Sequence, residues 1–174
     1  SYLNPMDTPF ASDRRVMTLM RELGYKYRID ERRILLTAFG EAAHYAFYLS
    51  VHYPRQFSAV ALEGGGVQGR FKPLLRRSEH AAKEVPFLIL YGDKDQTITK
   101  EEFVAVHEAF SQQGYRLELE EYENLGHQPH PEIHQRMMEW FAALPMPQEP
   151  KEPENLLFRV QTVIYDFFRG TIKG

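Results

Sequence analysis

The stretch that most constrains this chain is Ile34-Leu35-Leu36-Thr37-Ala38-Phe39-Gly40-Glu41-Ala42-Ala43. An apolar run of strand length ends abruptly in small residues. The next segment, Ala43-His44-Tyr45-Ala46-Phe47-Tyr48-Leu49, reads as a helix. Ala42, Ala46 and Leu49 share one side of it, and nothing breaks it before Pro54. A strand that turns sharply into a helix needs small residues at the turn, because the two elements pack closely there. Ala38, Gly40 and Ala42 meet that need.

Two later stretches repeat the theme of a strand ending in a polar loop. Pro86-Phe87-Leu88-Ile89-Leu90-Tyr91 reads as a buried strand, and it runs into Gly92-Asp93-Lys94-Asp95-Gln96-Thr97-Ile98, a loop with two carboxylates. Leu117-Glu118-Leu119-Glu120-Glu121-Tyr122 alternates like a strand and is followed by Asn124-Leu125-Gly126-His127. In this order the three stretches resemble the alpha/beta-hydrolase family, in particular its compact lidless carboxylesterases. The resemblance covers residues 8 to 144. It implies a triad in the chain order nucleophile, acid, histidine, with the nucleophile in a G-x-S-x-G turn. The acid position falls on Asp95 and the histidine on His127. The nucleophile position falls on Gly40, within Ala38-Phe39-Gly40-Glu41-Ala42, so the flanking glycines have become alanines and the serine a glycine. The backbone amide of Glu41 falls where the family places an oxyanion donor.

The fold class that follows is α/β: a partial alpha/beta-hydrolase fold, mainly a parallel sheet of four strands flanked by helices. The expected organisation is a hydrolase-like domain over 1–144, a Pro-rich linker over 145–154 and an amphipathic helix over 155–174. A full member of the family has about eight strands with the elbow after the fifth. Here the elbow strand is the first strong one, so the resemblance implies that the first half of the sheet lies outside this chain. That half carries the other oxyanion amide and pairs with the elbow strand. The open edge is then expected to be covered by self-association, by a complementing N-terminal half or by the chain's own tail. A start at Ser1 fits a processed chain or a fragment.

At 174 residues, a net charge of −3 and no cysteine, the chain fits one domain without disulfides. Nothing in that charge points to nucleic acid or an anionic surface, and no apolar stretch approaches the ~20 residues of a membrane span. No cofactor is indicated.

Residues Ser1 to Thr8 read as irregular. Ser12 or Asp13 is placed to cap a helix with Val16, Met17, Met20 and Leu23 on its apolar stripe, and Gly24 is placed to stop it. Arg32-Arg33 reads as a solvated strand entrance. Ser58 to Leu62 reads as a strand broken by Glu63-Gly64-Gly65-Gly66, a flexible loop whose spacing fits neither Gly-rich nucleotide pattern. Between Val67 and Val85 lie Arg70, Lys72, Arg76, Arg77 and Lys83, read as a solvated helix face in a segment too short for a folded lid. Lys100 to Gln113 reads as a helix with Phe103, Val104, His107 and Phe110 on one side. A further helix runs from Glu132 to Leu144, with Ile133, Met137, Trp140 and Phe141 as core. His127, His130 and His134 are considered as zinc ligands, but only His130 and His134 have helical spacing, and prolines break the helix beside His130. Leu156, Leu157, Val160, Val163, Ile164, Phe167 and Phe168 give the last segment a wide apolar face, read as packing on this or a neighbouring protein body.

Two functions stay open. One is a hydrolase-fold module without normal catalysis, acting in binding or assembly, with a small ester as ligand. The other is a fragment or variant of a working carboxylic-ester hydrolase. Gly40 favours the first, because glycine has no side chain to attack a carbonyl; the pairing of Asp95 with His127 favours the second.

Overall fold

Each of the four stretches read as a strand becomes one, and the segments between them become helices or loops. The computed structural model describes residues 9–67, 73–78 and 80–145. The elements are α1 Pro9–Lys26, β1 Leu35–Phe39, α2 Ala42–His52, β2 Ala59–Glu63, α3 Leu74–Arg77, α4 His80–Glu84, β3 Phe87–Gly92, α5 Lys100–Gln112, β4 Leu117–Tyr122 and α6 Pro131–Ala143. The strands lie in the order β1-β2-β3-β4, all parallel. Parallel neighbours need crossovers, which the helices supply. The linker and the C-terminal amphipathic stretch lie outside the described residues, apart from Pro145, as do Arg70 and Lys72 of the basic segment.

The sheet has an apolar cluster on each face. Phe47, Leu62, Phe87, Ile89, Phe103 and Phe110 belong to the larger one, and Ala59, Ala61, Leu88, Leu90, Ile133, Met137 and Trp140 to the other. Strands β2 and β3 are buried along their whole length, which is why they read as continuous apolar runs. Phe110 sits at the centre of the aromatic packing, 5.4 Å from Phe47, 5.2 Å from Phe87 and 5.0 Å from Tyr115 between ring centroids. Burying such rings contributes about 1.5–3 kcal/mol each. Strand β1 is only half-buried and pairs with β2 alone among the described residues, so its outer edge is open to a partner.

Several local expectations are corrected. Helix α1 starts at Pro9 and continues through Gly24 to Lys26; proline suits a first helical turn, and a single glycine does not stop a helix. Asp13 is not its cap. Its carboxylate is buried and accepts hydrogen bonds from Tyr45 (2.8 Å), Tyr48 (3.1 Å) and Tyr53 (3.1 Å), which fasten α1 to α2. Ala42 is exposed, and α2 buries Ala43, Ala46, Phe47, Leu49 and Ser50 instead. On α5 the buried residues are Phe103, Val106 and Phe110, while Val104 is exposed. Phe141 is partly buried beside the smaller cluster. Arg33 is more than a solvated strand entrance: it donates to the Phe141 carbonyl at 2.9 Å and lies over the Phe141 ring. The segment before β3 holds two short helices rather than one face.

Candidate active site

The carboxyl ends of parallel strands gather loops on one edge of the sheet, where ligand sites of open α/β sheets lie. Register brings Phe39 beside Glu63, Leu62 beside Ile89 and Leu90 beside Glu120, so the loops after β1, β2, β3 and β4 open together. The first of them is two residues long, Gly40 and Glu41. Gly40 donates its N–H to the Glu63 carbonyl (2.9 Å) and accepts from Ala43 (3.1 Å), turning directly into α2. Its φ is +58°, a left-handed value that glycine adopts without strain.

Asp95 sits in the loop between β3 and α5. Its Oδ1 accepts from the amides of Thr97 (2.8 Å) and Ile98 (3.0 Å), and its Oδ2 lies 2.8 Å from His127 Nδ1. The Asp95 side chain is 1% exposed and that of His127 25%. Burial pushes the Asp95 carboxyl up, but the bonds from His127, Ile98 and Thr97 outweigh it and hold it below the usual carboxylate range. An ionised Asp95 accepts, so Nδ1 of His127 donates and Nε2 is turned outward. A capping box fixes the end of this loop: Thr99 accepts from the Glu102 amide, and Glu102 accepts from that of Thr99.

His127 is held on three sides. Its ring packs against Phe39 at 4.8 Å. Gly92 lets its loop approach, because a Cβ there would lie 2.0 Å from the Leu125 carbonyl oxygen. Just beyond, Glu63 Oε1 accepts the His130 N–H at 2.9 Å, and burial pushes this carboxyl up against that bond. The His130 ring then caps α6 by accepting from Glu132. His127 and His130 therefore have separate partners, and no group of three metal-binding side chains occurs among the described residues.

The structure brings Gly40, Asp95 and His127 together. An ideal Cβ on Gly40 would lie 3.3 Å from His127 Nε2. The Glu41 amide heads α2 and has no acceptor among the described residues, while its side chain is exposed. Thr37 is exposed within β1, away from this turn. The glycine loop after β2 serves close approach: a Cβ on Gly65 would lie 2.3 Å from the Gly40 carbonyl oxygen, and one on Gly64 would lie 3.4 Å from His127 Nδ1. Sequence reasoning passed over Glu63 and Gly65. A charged residue closing an otherwise apolar buried strand was the available signal for the first; nothing local marked the second.

The parallel sheet, the elbow between β1 and α2 and the loop order define an alpha/beta-hydrolase fold. The family model described as phospholipase/carboxylesterase matches residues 11–145, and the chain belongs to that family. No curated protein matches the chain by sequence. Among solved structures it is similar to SOBER1 of Arabidopsis thaliana, with 15% identity, a TM-score of 0.65 and coverage of 82% of this chain and 66% of that one. It is also similar to the Bacillus cereus carboxylesterase (17% identity, TM-score 0.59, 80% of this chain and 63% of that one) and to Zea mays acyl-protein thioesterase 2 (16%, 0.58, 82% and 69%). The chain thus spans about two thirds of the length of these solved relatives, and at such identities the likeness is one of fold. No helix among the described residues is long and apolar enough to cross a membrane.

Proposed function

We propose that this chain is a hydrolase-fold protein whose ester-cleaving triad has lost its nucleophile, leaving a site that binds a small acyl ligand and a sheet edge that takes part in assembly. One observation carries the reading: the side chain that Gly40 lacks would start 3.3 Å from His127 Nε2. A hydroxyl on that Cβ would reach the ring nitrogen. His127 would take its proton as it attacks an ester carbonyl, and Asp95 would orient the ring and stabilise the imidazolium. Glycine supplies no such atom, and removing a triad serine costs on the order of 10⁶ in rate.

The second reading, a fragment or variant of a working carboxylic-ester hydrolase, draws its support from the pairing of Asp95 with His127. Hydrolysis of p-nitrophenyl acetate and butyrate separates the two when the chain is compared with its Gly40→Ser and Gly40→Ser/His127→Ala versions. The expected result is background rate for the unmodified chain, a clear gain with serine, and loss of that gain without His127. The gain should fall about 10²–10³ short of a full esterase if Glu41 N–H is the only oxyanion donor. His127-dependent turnover by the unmodified chain would overturn the proposal. The half-exposed β1 supports the assembly part; a concentration-independent monomer in light scattering would count against it.

A further inference from the structure

Helix α6 covers only part of its face of the sheet. Its Ile133, Met137 and Trp140 cluster with Ala59 and Ala61 of β2 and Leu88 and Leu90 of β3. One flank is tied to β4, where Arg136 bonds Glu120 and Trp140 donates to Glu118 at 3.0 Å. Side chains alternate along a strand, so Leu35, which packs on this cluster, puts Thr37 on the same face of β1. Thr37 pairs in register with Ala61, yet Ala61 is fully buried and Thr37 is exposed. The cover therefore stops between β2 and β1. A helix is about 10 Å across and strands lie about 4.8 Å apart, so a face of four strands takes two helices. Among the described residues this face has one. At about 3.6 residues per turn, Met138 and Phe141 fall on the flank of α6 opposite Arg136, toward β1. Met138 is 48% exposed there, and Phe141 lies under Arg33 at the entrance to β1. The uncovered strip thus has Leu35 and Thr37 as its floor and Met138 and Phe141 as its wall.

We propose that this strip is the docking site of the chain's own segment 155–174, laid beside α6 as a second, antiparallel helix. The place where the described chain ends selects this occupant. Helix α6 stops at Ala143, and the Phe141 carbonyl accepts from Arg33, so the chain leaves α6 at the end of the strip. The linker 145–154 has to carry it sideways by one helix diameter, about 10 Å. At about 3.1 Å per residue for a Pro-rich stretch, it reaches well beyond that. Length and pattern agree. As a helix, segment 155–174 would be about 30 Å long, enough to run past the ~17 Å of β1. Its Leu156, Val160, Val163 and Phe167 form one stripe, and Ile164 and Phe168 widen it. A face that wide suits a helix held by a sheet below and by α6 at its side. The hydrogen-bonding edge of β1 stays open in this arrangement, so the inference stands apart from the reading of the elbow and of assembly above.

The chain has no cysteine, so introduced thiols report without background. In the whole chain, Thr37→Cys should react with a maleimide at least about tenfold more slowly than Val104→Cys, an exposed α5 position on the other side of the sheet, because the docked segment must open first. Adding Phe167→Asp to Thr37→Cys should restore the faster rate, with circular dichroism showing that the body stays folded. The protection should not change on dilution. An independent measurement is oxidative crosslinking. Thr37→Cys/Val163→Cys should close a disulfide within one chain, and Thr37→Cys/Thr162→Cys, with Thr162 on the polar side of the segment, should not. A thiol at 37 that reacts as fast as one at 104, or protection indifferent to Phe167→Asp, would overturn the inference. So would equal crosslinking of Val163→Cys and Thr162→Cys. Protection lost on dilution, or disulfides formed only between chains, would overturn it in favour of a second copy as the occupant.

Discussion

Gly65→Ala is expected to be the most damaging single-methyl change in the described chain away from Gly92. An ideal Cβ at 65 would lie 2.3 Å from the Gly40 carbonyl oxygen and 2.7 Å from Ala43 Cβ. Non-bonded carbon contacts settle near 3.5–4.0 Å, so roughly 1 Å of movement is required. Neither neighbour can move cheaply. The Gly40 carbonyl accepts the Ala43 N–H that starts α2, and the Gly40 N–H is tied to Glu63. Overpacking of this kind costs about 1–3 kcal/mol, and a disturbed hydrogen bond adds about 1 kcal/mol. The sum, about 2–4 kcal/mol, corresponds to a fall in Tm of roughly 4–16 °C for a chain of this size. Thermal melts and urea midpoints followed by circular dichroism measure it. Gly24→Ala is the control: it lies inside α1 with nothing within 4 Å of the added carbon, and should gain about 0.5–1 kcal/mol. If Gly65→Ala lost less than about 0.5 kcal/mol, the close approach of the β2 loop to the elbow, and with it the placement of Gly40, would be refuted.

Asp13→Ala strips the acceptor from three tyrosine hydroxyls and should cost about 2–4 kcal/mol in urea denaturation, against about 1 kcal/mol for Tyr45→Phe. Desolvation, with the neighbouring Asp13, pushes the Tyr48 hydroxyl up to about 12 from 10.0, and Tyr45 and Tyr53 upward too. Their protonated forms are favoured in the folded state, so stability should be full below pH 10 and fall between about pH 10 and 12. Melts across that window should lose part of their slope in a Tyr45→Phe/Tyr48→Phe/Tyr53→Phe chain, the rest coming from Tyr91, Tyr115 and Tyr122, whose hydroxyls burial also pushes up. At the acid end the lowered Asp95 carboxyl contributes stability that is present above its ordinary value of 3.8 and lost as pH falls below it. Asp95→Asn should flatten that limb. Glu63→Ala frees the His130 N–H and should cost about 1–3 kcal/mol, with Glu63→Gln costing less because its carbonyl can still accept; equal losses would refute the contact.

What was legible in the sequence followed from features carried by a single element. Apolar runs ending in Gly, Asp or Asn marked the strands, and the order of the loops placed Gly40, Asp95 and His127 on one edge. What was not legible depends on which face another element covers. The α5 stripe read with Val104 in place of Val106 is one residue pair out, because helical period alone does not say where the sheet lies. Asp13 has the composition of a cap, and only the arrival of Tyr45, Tyr48 and Tyr53 from α2 and the turn after it makes it a buried acceptor. Arg33 reads as an exposed strand entrance until α6 ends beside it. Gly64, Gly65 and Gly66 read as flexible because their purpose is the absence of a Cβ against Gly40, Ala43, Phe39, His127 and Val106, all distant in sequence.

The persistence of Asp95 and His127 is a weaker argument for activity than it first looks. Asp95 gives one oxygen to the amides of Thr97 and Ile98, which shapes the turn into α5 whatever happens at His127. His127 fills space against Phe39 and leads to His130, the cap of α6. Both therefore have folding reasons to stay once chemistry is gone. Gly40 points the other way. A left-handed φ costs a residue with a side chain about 1–2 kcal/mol, so glycine at +58° releases strain that a serine there would store. On the proposed reading, loss of the nucleophile would be a stabilising change, with Asp95 and His127 kept by packing. The feature that packing alone does not require is the aim of the vacant side-chain direction at Nε2. The Gly40→Ser chain, expected to be less stable by about 1–2 kcal/mol yet catalytically gained, is where the two accounts part.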